Sequence, residues 1–210
     1  MPPIQNIIFD FGNVLFDLDL PAIQREMRRL LGEQYPAAKA RLTQYRVFEL
    51  YETGGLSTDD FIDTLRSTAR PPLSADQVTA AWNTIFIGMP TERFELLLQL
   101  RRRYQVFLLS NINELHAAWI DAYMQREHGL TDFLPRYFDA VYYSHLIRLR
   151  KPDPEIYEYV LADAELTPAE TLFIDDLEEN VATARMLGIQ GVVKTPELDI
   201  AQYMRGLLTA

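Results

Sequence analysis

The sequence predicts an α/β fold, a doubly wound Rossmann-like parallel sheet whose core carries an inserted α-helical cap. Three observations carry this expectation. Residues 4–10 form an Ile-rich run bounded by Pro3 and Gly12, the pattern of a strand buried on both faces. From about residue 20 to 88 the apolar residues recur at helical spacing, with no convincing strand. After Gly88, helices and strands alternate, which is how parallel strands covered on both faces read in sequence. The core is therefore expected at 1–16 and 89–210, and the helical cap at 17–88.

Each element has a local reason. Pro21 suits a first helical turn, with Ile23, Met27, Leu30 and Leu31 behind it. Leu42, Tyr45, Phe48 and Tyr51 predict a second helix, closed by the turn at Gly54-Gly55. Ser57 with Asp60 resembles a helix cap, and Ser74 with Gln77 is a capping box ahead of Val78, Trp82 and Ile85. The later chain predicts a helix at 91–103, a strand at 106–110, a helix at 113–127 and a short strand at 140–143. A helix at 154–165, a strand at 171–175, a helix at 178–187 ended by Gly188, a strand at 189–193 and a helix at 197–208 complete it.

Composition bounds the function. The 210 residues are 48% hydrophobic, enough for a substantial core. Thirty acidic against 20 basic residues give a formal charge of −10, which disfavours nucleic acid and anionic membranes as partners. The absence of cysteine excludes disulfides, thiol nucleophiles and Cys-ligated metals. No signal-peptide pattern opens the chain and no stretch approaches a membrane-spanning length. A cytoplasmic monomer or homodimer is expected.

The polar residues fall at corresponding places. Asp10 follows IIF, Ser110 and Asn111 follow VFLL, and Asp175 and Asp176 follow LFI. In a parallel doubly wound sheet these strand ends share one edge, where ligands bind. Lys151, in RKPDPEIY, lies before a helix and can reach the same edge. Three carboxylates without His or Cys suit a hard cation such as Mg²⁺. A carboxylate can also attack phosphorus, and Mg²⁺ with Lys151 can balance the charge of a phosphoryl group. Taken singly, each has a structural role open to it. Asp10 can cap a turn, Ser110-Asn111 a helix, and Asp175-Asp176 can sit at a helix N-terminus. Their shared order favours the site. His116, His128 and His145 lack metal-ligand spacing and read as surface or capping residues. Arg101-Arg102-Arg103 reads as a solvated helix end.

FDFGNVL (9–15), LLSN (108–111), RKPDPEIY (150–157) and FIDDLEEN (173–180) together resemble the haloacid dehalogenase (HAD) superfamily of hydrolases. The resemblance spans nearly the whole chain in the family's order, and 17–88 stands where one subgroup inserts its cap. It implies that Asp10 is the nucleophile that becomes an aspartyl phosphate. Ser110 and Asn111 would bind the phosphate, and Lys151 would hold nucleophile and phosphate together. Mg²⁺ would be held by Asp10, the backbone oxygen of Gly12, Asp175 and Asp176, with Asp175 a ligand or a partner that orients the ligands. The implied substrate is a small phosphorylated metabolite such as a sugar phosphate.

One position departs from the family pattern. The typical phosphatase motif is FDxDG(V/T), whose second Asp protonates the leaving oxygen; here that place holds Gly12, followed by Asn13. FDxGNV with SNINELH (110–116) is similar to the bacterial α-D-glucose-1-phosphate phosphatase branch. A site without that acid should favour leaving groups that need little protonation, such as an anomeric oxygen. Asp17, Asp19 or a cap side chain are the alternative proton sources. Two other readings stay open: a 2-haloacid dehalogenase, and a non-catalytic member that binds a phosphorylated ligand. Phe16, Phe48, Tyr51 and Trp82 are candidate pocket aromatics, though helical spacing suits core residues equally.

Overall fold

A computed structural model describes residues 2–209. Its main sheet has five parallel strands, β1 (Asn6–Phe9), β4 (Gln105–Ser110), β5 (Ala140–Tyr143), β6 (Thr171–Asp175) and β7 (Gln190–Val193). Their order across the sheet is β5-β4-β1-β6-β7. The opening strand is thus central, and the order reverses on either side of it, which opens a crevice at its C-terminal end. Pairing of Phe9 with Leu108 and with Ile174 brings Asp10, Ser110 and Asp175 to that end.

Both faces of the sheet are covered, and the side chains alternate between them. Ile7, Phe9, Leu108 and Ile174 pack with Phe94, Ile120, Met124 and Met204 of the helices at Thr91–Leu100, Glu114–His128 and Ile200–Thr209. Ile8, Phe107, Leu109 and Phe173 pack on the other face with Ile156, Val160 and Val181 of the helices at Pro154–Asp163 and Glu178–Met186. This double burial explains why the strands read as apolar runs and not as alternating ones.

Helices built on residues 22–82 have an apolar cluster of their own, including Met27, Leu42, Tyr51, Phe61, Val78 and Trp82. Ser57 accepts from the Asp60 backbone N–H, and the Ser74–Gln77 capping box is complete. Two expectations for this region are corrected. A two-stranded antiparallel ribbon, β2 (Asp17–Leu18) with β3 (Phe86–Gly88), joins it to the core; strands this short leave no periodicity to read. The expected second helix is two, Tyr35–Gln44 and Val47–Glu52, because Arg46 takes a left-handed φ of 52°. Elsewhere three elements are shorter than expected: the first strand begins at Asn6, the 91 helix stops at Leu100 and the last helix starts at Ile200. Among the described residues no helix is long and apolar enough to cross a membrane.

Candidate active site

Lys151 is the hub of the strand-end cluster. Its Nζ donates to Asp10 Oδ1 at 2.6 Å, to Asp175 Oδ2 at 2.6 Å and to the Leu109 carbonyl at 2.9 Å. All three ammonium protons are used, and the side chain is only 2% exposed. Asn111 places it: the Asn111 amide donates to the Lys151 carbonyl and accepts from the Lys151 N–H, both at 2.9 Å. Asn111, expected to touch phosphate, thus spends both polar atoms on the Lys151 backbone. Ser110 is buried at the tip of β4 and lines the same cavity as Asp10 and Lys151.

Asp175 is fully buried, and both its oxygens are occupied. Oδ1 accepts from the Leu177 N–H and from Asn180 Nδ2, and Oδ2 accepts from Asn180 Nδ2 and Lys151. Asp176 accepts from Asn13 Nδ2 at 3.0 Å. Oxygen atoms of Asp10, Asp175 and Asp176 all lie within 4.8 Å of one another. Three carboxylates therefore face one ammonium. Burial pushes the Asp10 carboxyl up, to about 7, with Asp175 and Asp176 adding to the rise against the pull of Lys151. Burial also raises Asp176. Burial works against the Lys151 charge, yet Asp10 and Asp175 hold its pKa above the ordinary lysine value. Excess negative charge in an all-oxygen donor set fits a hard divalent cation, which would relieve it.

The GlyAsn step has a physical explanation. Asn13 has a φ of 54°, a conformation that Asn tolerates better than most residues other than glycine. Its Oδ1 accepts from the Leu18 N–H at 3.2 Å while its Nδ2 holds Asp176, so one amide ties the loop to both the ribbon and the acids. Gly12 is constrained by space. A Cβ there would stand 2.7 Å from Leu18 Cδ1, so a side chain at that place has to displace the end of Leu18.

The cavity above Asp10 has a volume of about 350 Å³. From the helical segment and ribbon it is lined by Leu20, Ile23, Glu52, Trp82, Ile85 and Phe86. Of the candidate aromatics, Trp82 lines it; Phe16 and Tyr51 are buried packing residues, and Phe48 stacks on Trp82. His116 also lines it, contrary to the surface or capping role expected. Its ring stacks on Trp82, its Nε2 lies 3.1 Å from the Trp82 carbonyl and its Nδ1 lies 3.2 Å from Asn113 Nδ2. Burial lowers its pKa to about 4, which leaves it neutral, with the proton on Nε2 toward the carbonyl. Asp17 pairs with Arg93 and Asp19 with Arg25; neither lines the cavity.

Sequence reasoning missed Asn13, Glu52, His116, Arg150 and Asn180. Asn180 sits five residues after Asp175, inside a segment already singled out, and a buried acid needing donors was a usable signal for it. Arg150 and His116 likewise stand in quoted segments, beside Lys151 and at the end of SNINELH, whereas Glu52 reaches the site only through tertiary packing.

The haloacid dehalogenase-like hydrolase family model matches residues 4–188. D-ribitol-5-phosphate phosphatase of Bacteroides thetaiotaomicron is 32% identical over 191 residues, covering 89% of this chain and 90% of that protein. The crystal structure of a HAD family enzyme from the same organism superposes with a TM-score of 0.88 at 31% identity, covering 97% of this chain and 100% of the other. A crystal structure of that enzyme in complex with magnesium and inorganic phosphate gives a TM-score of 0.82 at 34% identity, covering 93% and 96%.

Proposed function

The chain belongs to the haloacid dehalogenase-like hydrolases, and from that premise we propose that it is a Mg²⁺-dependent phosphomonoesterase of a small phosphorylated metabolite of the sugar-phosphate kind. Asp10 attacks phosphorus and forms an aspartyl phosphate, which water then hydrolyses. Lys151 holds the Asp10 carboxylate in place and balances phosphoryl charge, Ser110 donates to a phosphoryl oxygen, and Asn111 fixes Lys151. Asp10, Asp176 and the Gly12 carbonyl would hold Mg²⁺, with Asp175 lending its charge while its hydrogen bonds keep it fixed. The bound ion would supply electrostatic stabilisation of the phosphoryl oxygens.

One observation carries this reading: three buried or half-buried carboxylates converge on a single buried lysine. The same observation speaks against a 2-haloacid substrate, whose own carboxylate the trio would repel. Two supports bear on substrate class. A relative is a D-ribitol-5-phosphate phosphatase. The cavity also holds polar groups suited to hydroxyls, among them Arg150, whose Nε has no hydrogen-bond partner among the described residues. In this reading residues 17–88 form the cap that covers the site and selects the leaving group.

The test is phosphate release from a panel containing ribitol 5-phosphate, α-glucose 1-phosphate, glucose 6-phosphate and a nucleotide, with Mg²⁺ and with EDTA. Mg²⁺-dependent release from sugar or polyol phosphates is expected. Release from none of them, or chloride release from 2-chloropropionate without Mg²⁺, overturns the reading.

A further inference from the structure

Gly12 leaves the leaving oxygen without its usual proton source, so the titratable groups of the cavity become the candidates. Most are committed elsewhere. Lys151 has spent its three protons. Asp175 is saturated with hydrogen bonds and Asp176 is held by Asn13 within the acidic trio. The single N–H of neutral His116 points at the Trp82 carbonyl. Asp17 and Asp19 are ion-paired outside the cavity. Glu52 remains. Among the described residues its carboxyl makes no hydrogen bond; its nearest charged partner is Arg150 Nη2, 3.6 Å from Oε2.

Glu52 is also held in place by its backbone. Its carbonyl accepts from the buried Ser144 Oγ at 2.7 Å, and that Ser144 hydroxyl in turn accepts from the Ile112 N–H at 2.9 Å. Two residues on, Gly54 has a φ of 65°, and a Cβ there would stand 2.3 Å from the His145 carbonyl. The end of the 47–52 helix is therefore pressed onto Ser144 and His145, just after β5, with the Glu52 side chain in the cavity.

We propose that Glu52 is the general acid–base residue of this site, taking over the part that Gly12 cannot play; this rests on the phosphatase reading above. As Asp10 bonds to phosphorus, the P–O bond to the leaving group breaks, and the Glu52 carboxyl gives its proton to the departing oxygen. The product alcohol leaves. The Glu52 carboxylate then takes a proton from the water that attacks the aspartyl phosphate, the bond from phosphorus to Asp10 breaks, and both carboxyls return to their starting states. Burial raises the Glu52 pKa, opposed by Arg150 and aided by Glu49, which favours the protonated starting form. Those two are the charged groups beside it; Asp10, Lys151, Asp175 and Asp176 share the cavity, and His116 there is neutral. Arg150 is too distant to hydrogen-bond but near enough to steady the carboxylate once the proton has gone.

The experiment compares leaving groups in the full chain with Mg²⁺. p-Nitrophenyl phosphate releases a stable phenolate, whereas a primary alkyl phosphate such as ribitol 5-phosphate needs the proton. Glu52→Gln should lower kcat on the alkyl ester by about 10²–10⁴-fold, the usual worth of general acid–base help, and on the aryl ester by less. The alkyl-to-aryl ratio should fall at least about tenfold, within that same range. The decline of kcat with rising pH on the alkyl ester should vanish, and Glu52→Asp should recover part of the rate. An unchanged ratio overturns the proposal, as does a wild type that hydrolyses the aryl ester and no alkyl phosphate. Aryl hydrolysis that survives Asp10→Asn is a different result, which defeats the phosphatase reading itself.

Discussion

The Asn13 amide donates to Asp176 at 3.0 Å, joining residues 163 positions apart in the chain. This contact should matter for metal affinity, because it orients a carboxylate of the acidic trio. Asn13→Gly keeps the left-handed backbone and removes the tether, so Mg²⁺ binding should weaken by about 10–100-fold, as for other partners of metal ligands. Titration calorimetry with Mg²⁺ reads this directly. Equal affinity in the variant would show that Asp176 needs no such support.

Lys151 should be as important for folding as for chemistry. Lys151→Met leaves Asp10 and Asp175 buried without their cation, a change that costs about 3–5 kcal/mol when one member of a buried pair is removed. Urea unfolding at neutral pH measures it. A loss within the range of a surface pair, about 1 kcal/mol or less, would contradict the buried triad.

His116 gives stability a defined pH dependence. Its folded pKa lies near 4, below the ordinary value of 6.5, so the unfolded chain binds the proton first as pH falls. Its stabilising contribution is complete above 6.5 and is lost as pH falls toward 4. His116→Gln should remove this part of the pH dependence, read as the difference between wild-type and variant urea midpoints across that window. Parallel curves would place the imidazole in water.

The crowding at Gly12 predicts a coupling. Gly12→Ala should destabilise by about 1 kcal/mol or less, the low end of an overpacking cost, because only the tip of the half-exposed Leu18 side chain must move. In a Leu18→Ala background the same change should cost measurably less. Additive effects across this double-mutant cycle would show that Leu18 does not fill the space.

The sheet was legible because its strands are buried on both faces, so Ile7–Phe9 and Leu108–Leu109 read as apolar runs ending on polar residues. The convergence of Asp10, Ser110, Lys151, Asp175 and Asp176 followed from parallel topology. The β2–β3 ribbon was hidden because it spans only five residues, and the break at Arg46 because a single left-handed residue leaves helical spacing almost intact. Asn13 stood in the quoted motif, yet its value lies in a backbone angle and a contact made 163 residues away. Glu52 and Arg150 meet where Gly54 lies against His145 and Ser144 holds the Glu52 carbonyl, tertiary contacts that carry no sequence period.

The central claim is that Asp10 becomes phosphorylated during turnover. Wild-type protein mixed with Mg²⁺ and a hydrolysed phosphate ester, quenched in acid and mapped by peptide mass spectrometry, should carry a hydroxylamine-labile phosphate on the peptide containing Asp10. Turnover without label on that peptide, together with hydrolysis that persists in Asp10→Asn, would contradict it.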